Sequence, residues 1–236
     1  MPSKFHLFYQ LALLGAFDVL PQALRDRTLA VRVRNRLKRQ SIEGVSEVVR
    51  HFNGALFQNT PDRTVLENAI LPFYQLSPDH NHIVFVGCDW YTAGYARLFA
   101  HKALWTIDID PRKGRYGAPH HLVAPMKNIA YQFAPASVDL VLCNGVIGWG
   151  LDTKAECEAS IAAAASVLRP GGHLVIGFND RPPHVPVRLE DIEALASFEP
   201  FTFEPLSASE HRVDHELCHV FRFYRKPSYG KPSIAT

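Results

Sequence analysis

The chain has 236 residues, of which 47% are apolar and 20% charged. That length suits one large domain, or one domain plus an extension, burying roughly 70–75% of its unfolded surface without disulfide or metal staples. The composition excludes a mostly disordered or collagen-like chain. The formal net charge of +2 is too small by itself to imply nucleic-acid or membrane binding.

The opening run from Phe5 to Phe17 is apolar but spans only 13 residues and contains His6 and Gln10. It falls short of the ~20 residues that cross a bilayer, and Lys4 alone is a poor basic start for a signal peptide. Cys88, Cys143, Cys157 and Cys218 include no C-x-x-C pair and read as free thiols in a reducing compartment. The chain is therefore expected to be cytoplasmic.

Residues 25–39 hold Arg25, Arg27, Arg32, Arg34, Arg36, Lys38 and Arg39 against the single Asp26. One reading is a solvated helical face with Leu29, Val33 and Leu37 buried behind it. The other is contact with an anionic membrane surface or an RNA backbone. No stacking aromatics are interleaved, which speaks against nucleic acid. Further on, Val65 to Leu71 has helical apolar periodicity, which Pro72 and Pro78 are expected to interrupt.

From residue 83 to about 180, short apolar runs alternate with helix-prone stretches, the βαβ pattern of a parallel sheet. The runs are Ile83–Val86, Ala103–Ile107, Val138–Cys143 and His173–Phe178, and their near-continuous apolar character marks strands covered on both faces. Ala155 to Leu168 reads as a helix stopped by Pro170-Gly171-Gly172. After the proline-rich loop Arg181–Pro186, a short helix over Leu189–Leu195 and extended runs at Phe201–Phe203 and Leu217–Tyr224 are expected. The organisation predicted is an N-terminal helical extension or cap over 1–80, an α/β domain over 81–226 and a flexible tail over 227–236.

Ligands of open parallel sheets bind outside the carboxyl ends of the strands. The residues there are Gly87-Cys88-Asp89, Asp108, Asn144-Gly145 and Asn179-Asp180. A glycine after the first strand lets backbone approach a ligand closely. An acid ending the second strand can accept both ribose hydroxyls. Gly87 and Asp108 are 21 residues apart, close to the ~20 expected when two strands hold one nucleoside. The pair suggests an adenosine-containing cofactor. Asp89 would repel a pyrophosphate but suits a sulfonium with an amino-acid tail, which favours S-adenosylmethionine over a nicotinamide dinucleotide; an NAD-linked oxidoreductase is the weaker option.

Four pieces in order complete the pattern: Ile83–Cys88, Trp105–Asp110, Ala136–Cys143 and the Leu168-Arg-Pro-Gly-Gly172 turn into the next strand. On these, residues 83 to about 225 resemble a class I S-adenosylmethionine-dependent methyltransferase. The resemblance implies a doubly wound, mostly parallel seven-stranded sheet with helices on both faces, its last strand, His219–Tyr224, antiparallel. It implies a small-molecule acceptor and a cofactor site of Gly87, Cys88, Asp89, Tyr91, Asp108, Met126 (through its backbone), Asn144 and Gly145. Trp149 and Tyr91 would flank the methyl group; His120, His121 and His184 are the candidates to serve a nucleophile that must lose a proton, the plainer reading of each being a surface histidine. Phe85 stands where the family carries an acid, Asp89 and Tyr91 where it carries glycines, and Gly148-Trp149 where it often has Glu-His. These departures leave a second reading, a catalytically inactive relative that binds a partner or a membrane surface through Arg25–Arg39.

His215-Glu-Leu-Cys-His219 fits H-E-x-x-H, but no Asp, Glu or His follows it, and it runs into a strand-like segment where i and i+4 do not stack. No metal site is expected.

Overall fold

The computed structural model describes residues 60–182, 184–214 and 217–228. The run Phe5–Phe17, the basic segment 25–39 and most of the tail from 227 lie outside the described residues.

Eight strands form one sheet: β1 (His82–Val86), β2 (Ala103–Asp108), β3 (His120–Val123), β4 (Val138–Asn144), β5 (Leu168–Asn179), β6 (Glu199–Pro200), β7 (Glu210–Val213) and β8 (His219–Arg225). The order is β3-β2-β1-β4-β5-β8-β6, with β7 also on β8. β1 to β5 are parallel, and β8 runs antiparallel beside β5. This is the mostly parallel, doubly wound sheet expected, with β7 as an eighth strand that the sequence pattern did not suggest.

Alternation along the strands sends side chains to both faces. Val84, Val86, Val141 and Cys143 join a core with Cys157, Ile161, Ala164 and Val167 of α4 (Lys154–Val167). Thr153 caps α4, exchanging hydrogen bonds with Glu156, and Lys226 Nζ reaches the carbonyls of Ala165 and Leu168 at its far end. On the other face, Phe85 packs edge-on to Tyr95 of α3 (Tyr95–Leu98). Tyr74 lies beside His173 and Phe203.

Three expectations are corrected. Pro72 does not break its helix: α1 (Pro61–Val65) continues through a π segment (Leu66–Ile70) into α2 (Leu71–Leu76). Proline lacks an N–H and crowds the carbonyl four residues back, and the wider turn relieves both. Leu189–Leu195 is not one helix but two 3₁₀ turns, Leu189–Asp191 and Glu193–Ser197, separated by the buried, extended Ile192. Likewise Phe203 makes a single bridge to Ala208 rather than a strand. The Pro170-Gly171-Gly172 turn is absorbed into β5, where the register against β4 shifts between Val138 and Leu140.

At the amino ends of the strands, Asp139 accepts the backbone N–H groups of Asn81 and His82 and the Arg169 guanidinium. Nearby, the His80 and His173 rings lie 4.5 Å apart, with Tyr74 hydroxyl 3.1 Å from His173 Nδ1. Burial, then the charges of His80, Arg225 and Arg169, push His173 down to about 3. Burial, then Arg169, also lowers His80 against the opposing pull of Asp139 and Asp79. Below pH ~6.5 the unfolded chain therefore binds protons that the folded chain refuses, so stability falls as pH falls. The urea midpoint is expected to be lower at pH 5 than at pH 7, with a smaller difference in His173→Phe.

Candidate functional site

The loop after β1 begins with Gly87 at φ +88°, where an added Cβ would stand 2.8 Å from Val146 Cγ2. Its N–H donates to the Ile107 carbonyl at 2.8 Å. Asp108, ending β2, then joins two loops: its carboxylate accepts the N–H of Cys88 at 2.7 Å and that of Asp110 at 2.9 Å. Each oxygen uses one of about two lone-pair directions, so acceptor capacity remains. Burial, followed by the Asp108 charge, pushes the Cys88 thiol up to about 12. Cys88 is therefore a neutral thiol near pH 7.

Asp89 caps the 3₁₀ turn Trp90–Thr92, with its side chain accepting the Trp90 N–H and Thr92 Oγ1 accepting its own N–H. Its carboxylate also pairs with the Lys113 ammonium. Tyr91 lies beneath the Arg63 guanidinium, 4.1 Å from the ring centre. Arg63 is buried and donates to the Tyr95 hydroxyl, which donates to Glu67. The helix preceding the sheet thus supports the β1 loop. Met126 opens the 3₁₀ turn Met126–Tyr131 with its side chain in the core.

At the end of β4, Gly145 at φ +67° donates its N–H to the Gly177 carbonyl. Because β8 runs antiparallel, its first residue, His219, sits at the carboxyl ends of its parallel neighbours. There His219 Nε2 lies 3.2 Å from Asn144 Oδ1, and Nδ1 lies 2.7 Å from Asn179 Oδ1. A Cβ at Gly177 would stand 1.8 Å from Asn144 Oδ1 and 2.9 Å from His219 Nε2. Beyond Gly145, backbone bonds from Trp149 and Leu151 to the Val146 carbonyl, and from Gly148 to that of Leu151, close a tight turn. Trp149 projects from it and stacks on His184, centroids 4.3 Å apart and planes at 10°.

The structure therefore brings Gly87, Cys88, Asp89 and Asp108 together, and separately pairs Trp149 with His184. His121 joins neither group. It bonds Thr106 Oγ1 through Nδ1 at 2.9 Å under Gly114 and Gly117, and burial lowers its pKa against the opposing Asp108 charge. Sequence reasoning missed Lys113, Arg63 and His219. Arg63 had a signal, as a charge in helical register with apolar Leu66, Ile70 and Tyr74; the partners of Lys113 and His219 are fixed only by the fold. His219 lies in a strand, and among the described residues no group of three or more His, Cys, Asp or Glu could hold a metal.

Residues 86–176 match the family model of a methyltransferase domain. The methyltransferase-domain match runs from the last residue of β1 into β5, so it takes in Gly87, Asp108, Asn144 and Trp149 but not His184 or β8. Among solved structures, the N-methyltransferase NodS from Bradyrhizobium japonicum WM9 is 19% identical, with a TM-score of 0.53, over 73% of this chain and 100% of that one. The same enzyme in complex with S-adenosyl-L-homocysteine gives 20% identity and 0.54 over 72% and 90%. The [4+2]-cyclase SpnF gives 13% and 0.53 over 80% and 94%. The fold is the Rossmann-like fold of class I methyltransferases. At these identities the likeness is one of fold, which by itself does not fix chemistry. No curated protein matches the chain.

The interlock at Gly177 gives a direct test. Gly177→Ala must displace the Asn144 amide from His219, and overpacking of this kind costs about 1–3 kcal/mol. A urea midpoint lowered accordingly is expected; an unchanged midpoint contradicts the interlock.

Proposed function

We propose that the chain is an S-adenosylmethionine-dependent methyltransferase moving a methyl group to a small-molecule acceptor by in-line displacement. The observation that carries this reading is the Asp108 carboxylate, bonded to the loops after both β1 and β2 and still holding free acceptor directions. The residues present fit the cofactor: Gly87 turns the loop after β1 through a left-handed conformation, and Asp108 has acceptor capacity left for ribose hydroxyls. The Asp89–Lys113 pair offers one negative and one positive group, matching the ammonium and carboxylate of an amino-acid tail. The Met126 backbone would serve the base, and Asn144-Gly145 the reacting end.

When bound, S-adenosylmethionine supplies an already activated methyl group. The side chains then need mainly to orient, worth effective molarities of about 10⁵–10⁸ M when alignment is good. Trp149, and the face of Tyr91 turned away from the Arg63 guanidinium, would flank the positive charge. Where the acceptor must lose a proton, His184 is the histidine standing beside Trp149, whereas His121 is engaged by Thr106.

The reading keeps residues 1–80 as an extension or cap, 81–226 as the cofactor-binding domain and 227–236 as a tail, in a cytoplasmic protein not expected to bind nucleic acid. Among the described residues no helix is long and apolar enough to cross a membrane. A catalytically inactive relative, binding a partner or a membrane surface through Arg25–Arg39, is the second reading. It is favoured by one observation: Asp89 and Tyr91, at the positions of the family's glycines, are engaged by Lys113 and Arg63.

Calorimetric titration with S-adenosylhomocysteine separates the two. The first reading expects binding that weakens in Asp108→Ala by ~1–3 kcal/mol, the usual worth of hydrogen bonds to a charged group. Equal affinity in both proteins removes Asp108 from the site, and no binding by the folded wild type favours the second reading.

A further inference from the structure

Trp149 is 59% exposed, which is unusual for the largest side chain. Its position is nevertheless well determined. The turn that carries it is closed by three backbone hydrogen bonds between Val146 and Leu151, and the neighbouring Gly148 sits at φ +78°. An added Cβ at Gly148 would meet the His184 carbonyl oxygen at 2.2 Å, so the loop after β5 is seated directly on this turn. His184 places its imidazole flat against the indole. Exposed Ile109, following Asp108, reaches to 4.0 Å from where a Gly150 Cβ would be. An aromatic face, and an aliphatic side chain beside the next residue of its turn, therefore lie at the carboxyl edge of the sheet.

Apart from Asp108, which the proposed reading assigns to the ribose, the charged groups flanking this edge in the chain have partners of their own. Asp180 pairs with Arg212 at 2.6 Å, Asp89 with Lys113, and Asp152 accepts the Gly150 N–H. A surface that is flat, aromatic and without a committed charge selects by ring stacking, in offset or parallel geometry, rather than by ion pairing. The protein's own imidazole shows what the indole accepts: a planar conjugated ring at van der Waals separation.

We propose that Trp149 and His184 form a stacking platform for the methyl acceptor, and that the acceptor is an uncharged compound carrying a planar aromatic or heteroaromatic ring. This inference rests on the methyltransferase reading for the word acceptor, but the platform itself is testable without turnover. The ring binds either on the Trp149 face turned away from His184 or on the Trp149 face that His184 vacates; both require the indole. Saturated rings of the same size bury similar apolar area but lack the flat π face, so they separate stacking from simple greasiness.

The test uses the full chain and ligand-observed NMR with 1-naphthol and 2-naphthol, each against its decahydro counterpart, all of them uncharged near neutral pH. Binding of the aromatic probes at least tenfold tighter than the saturated ones, and at least tenfold weaker in Trp149→Ala with Trp149→Phe keeping most of it, supports the platform. Equal binding of flat and saturated probes, equal binding in Trp149→Ala, or no aromatic binding at all overturns it. Titration of the wild type with S-adenosylhomocysteine is run alongside. Ring binding without cofactor binding sinks the methyltransferase reading and leaves the platform standing; cofactor binding without ring binding does the reverse.

Discussion

The Asp108 carboxylate is the constraint on which the candidate site depends. A parallel sheet leaves its strands' carboxyl ends as separate loops, each with backbone N–H groups that need partners. Asp108 supplies one acceptor to Cys88 and another to Asp110, so two adjacent loops are fixed relative to one charge. Gly87 then has to turn through a left-handed conformation against Val146, because the loop after β4 crowds the same place. The result is a negatively charged group at the mouth of the sheet, held by backbone rather than by a competing cation.

A second constraint comes from the antiparallel strand. Reversing β8 brings the start of one strand to the ends of its parallel neighbours, and His219 there reaches both Asn144 and Asn179. Satisfied buried polar groups of this kind set geometry more than they add stability. The Asn144 amide fills the space over Gly177 and is turned toward β5 and β8. What Asn144 and Gly145 offer a ligand beside β1 is therefore chiefly main chain.

The sheet was legible because strands covered on both faces read as unbroken apolar runs, as Ile83–Val86 and Val138–Cys143 do, and because the alanine-rich stretch Ala155–Leu168 that follows them is helix-prone. Local rules failed where tertiary packing overrode them. Pro72 is carried by a π segment, and Ile192 is drawn into the core and divides a helix; the helix ending at Val167 does stop before Pro170-Gly171-Gly172, which form an irregularity within β5. In the site, Gly87 and Asp108 were readable from position alone, since a strand's end fixes where its next residue lies. Lys113 and His219 were not, because their partners Asp89 and Asn144 are set by the three-dimensional arrangement; Arg63 could have been noticed as a charge on the apolar side of its helix, though not its contact with Tyr91. Trp149 and His184 were readable singly, but their stacking joins the loops after β4 and β5 and has no trace in the spacing.

The most direct test of the account is a crystal structure of the protein soaked with S-adenosylhomocysteine. The account predicts both ribose hydroxyls on the Asp108 carboxylate, with the Cys88 and Asp110 N–H bonds to it retained and the amino-acid tail at Asp89 and Lys113. A ribose bound elsewhere, or Asp108 released from either loop to meet it, would contradict the claim that this carboxylate organises the site.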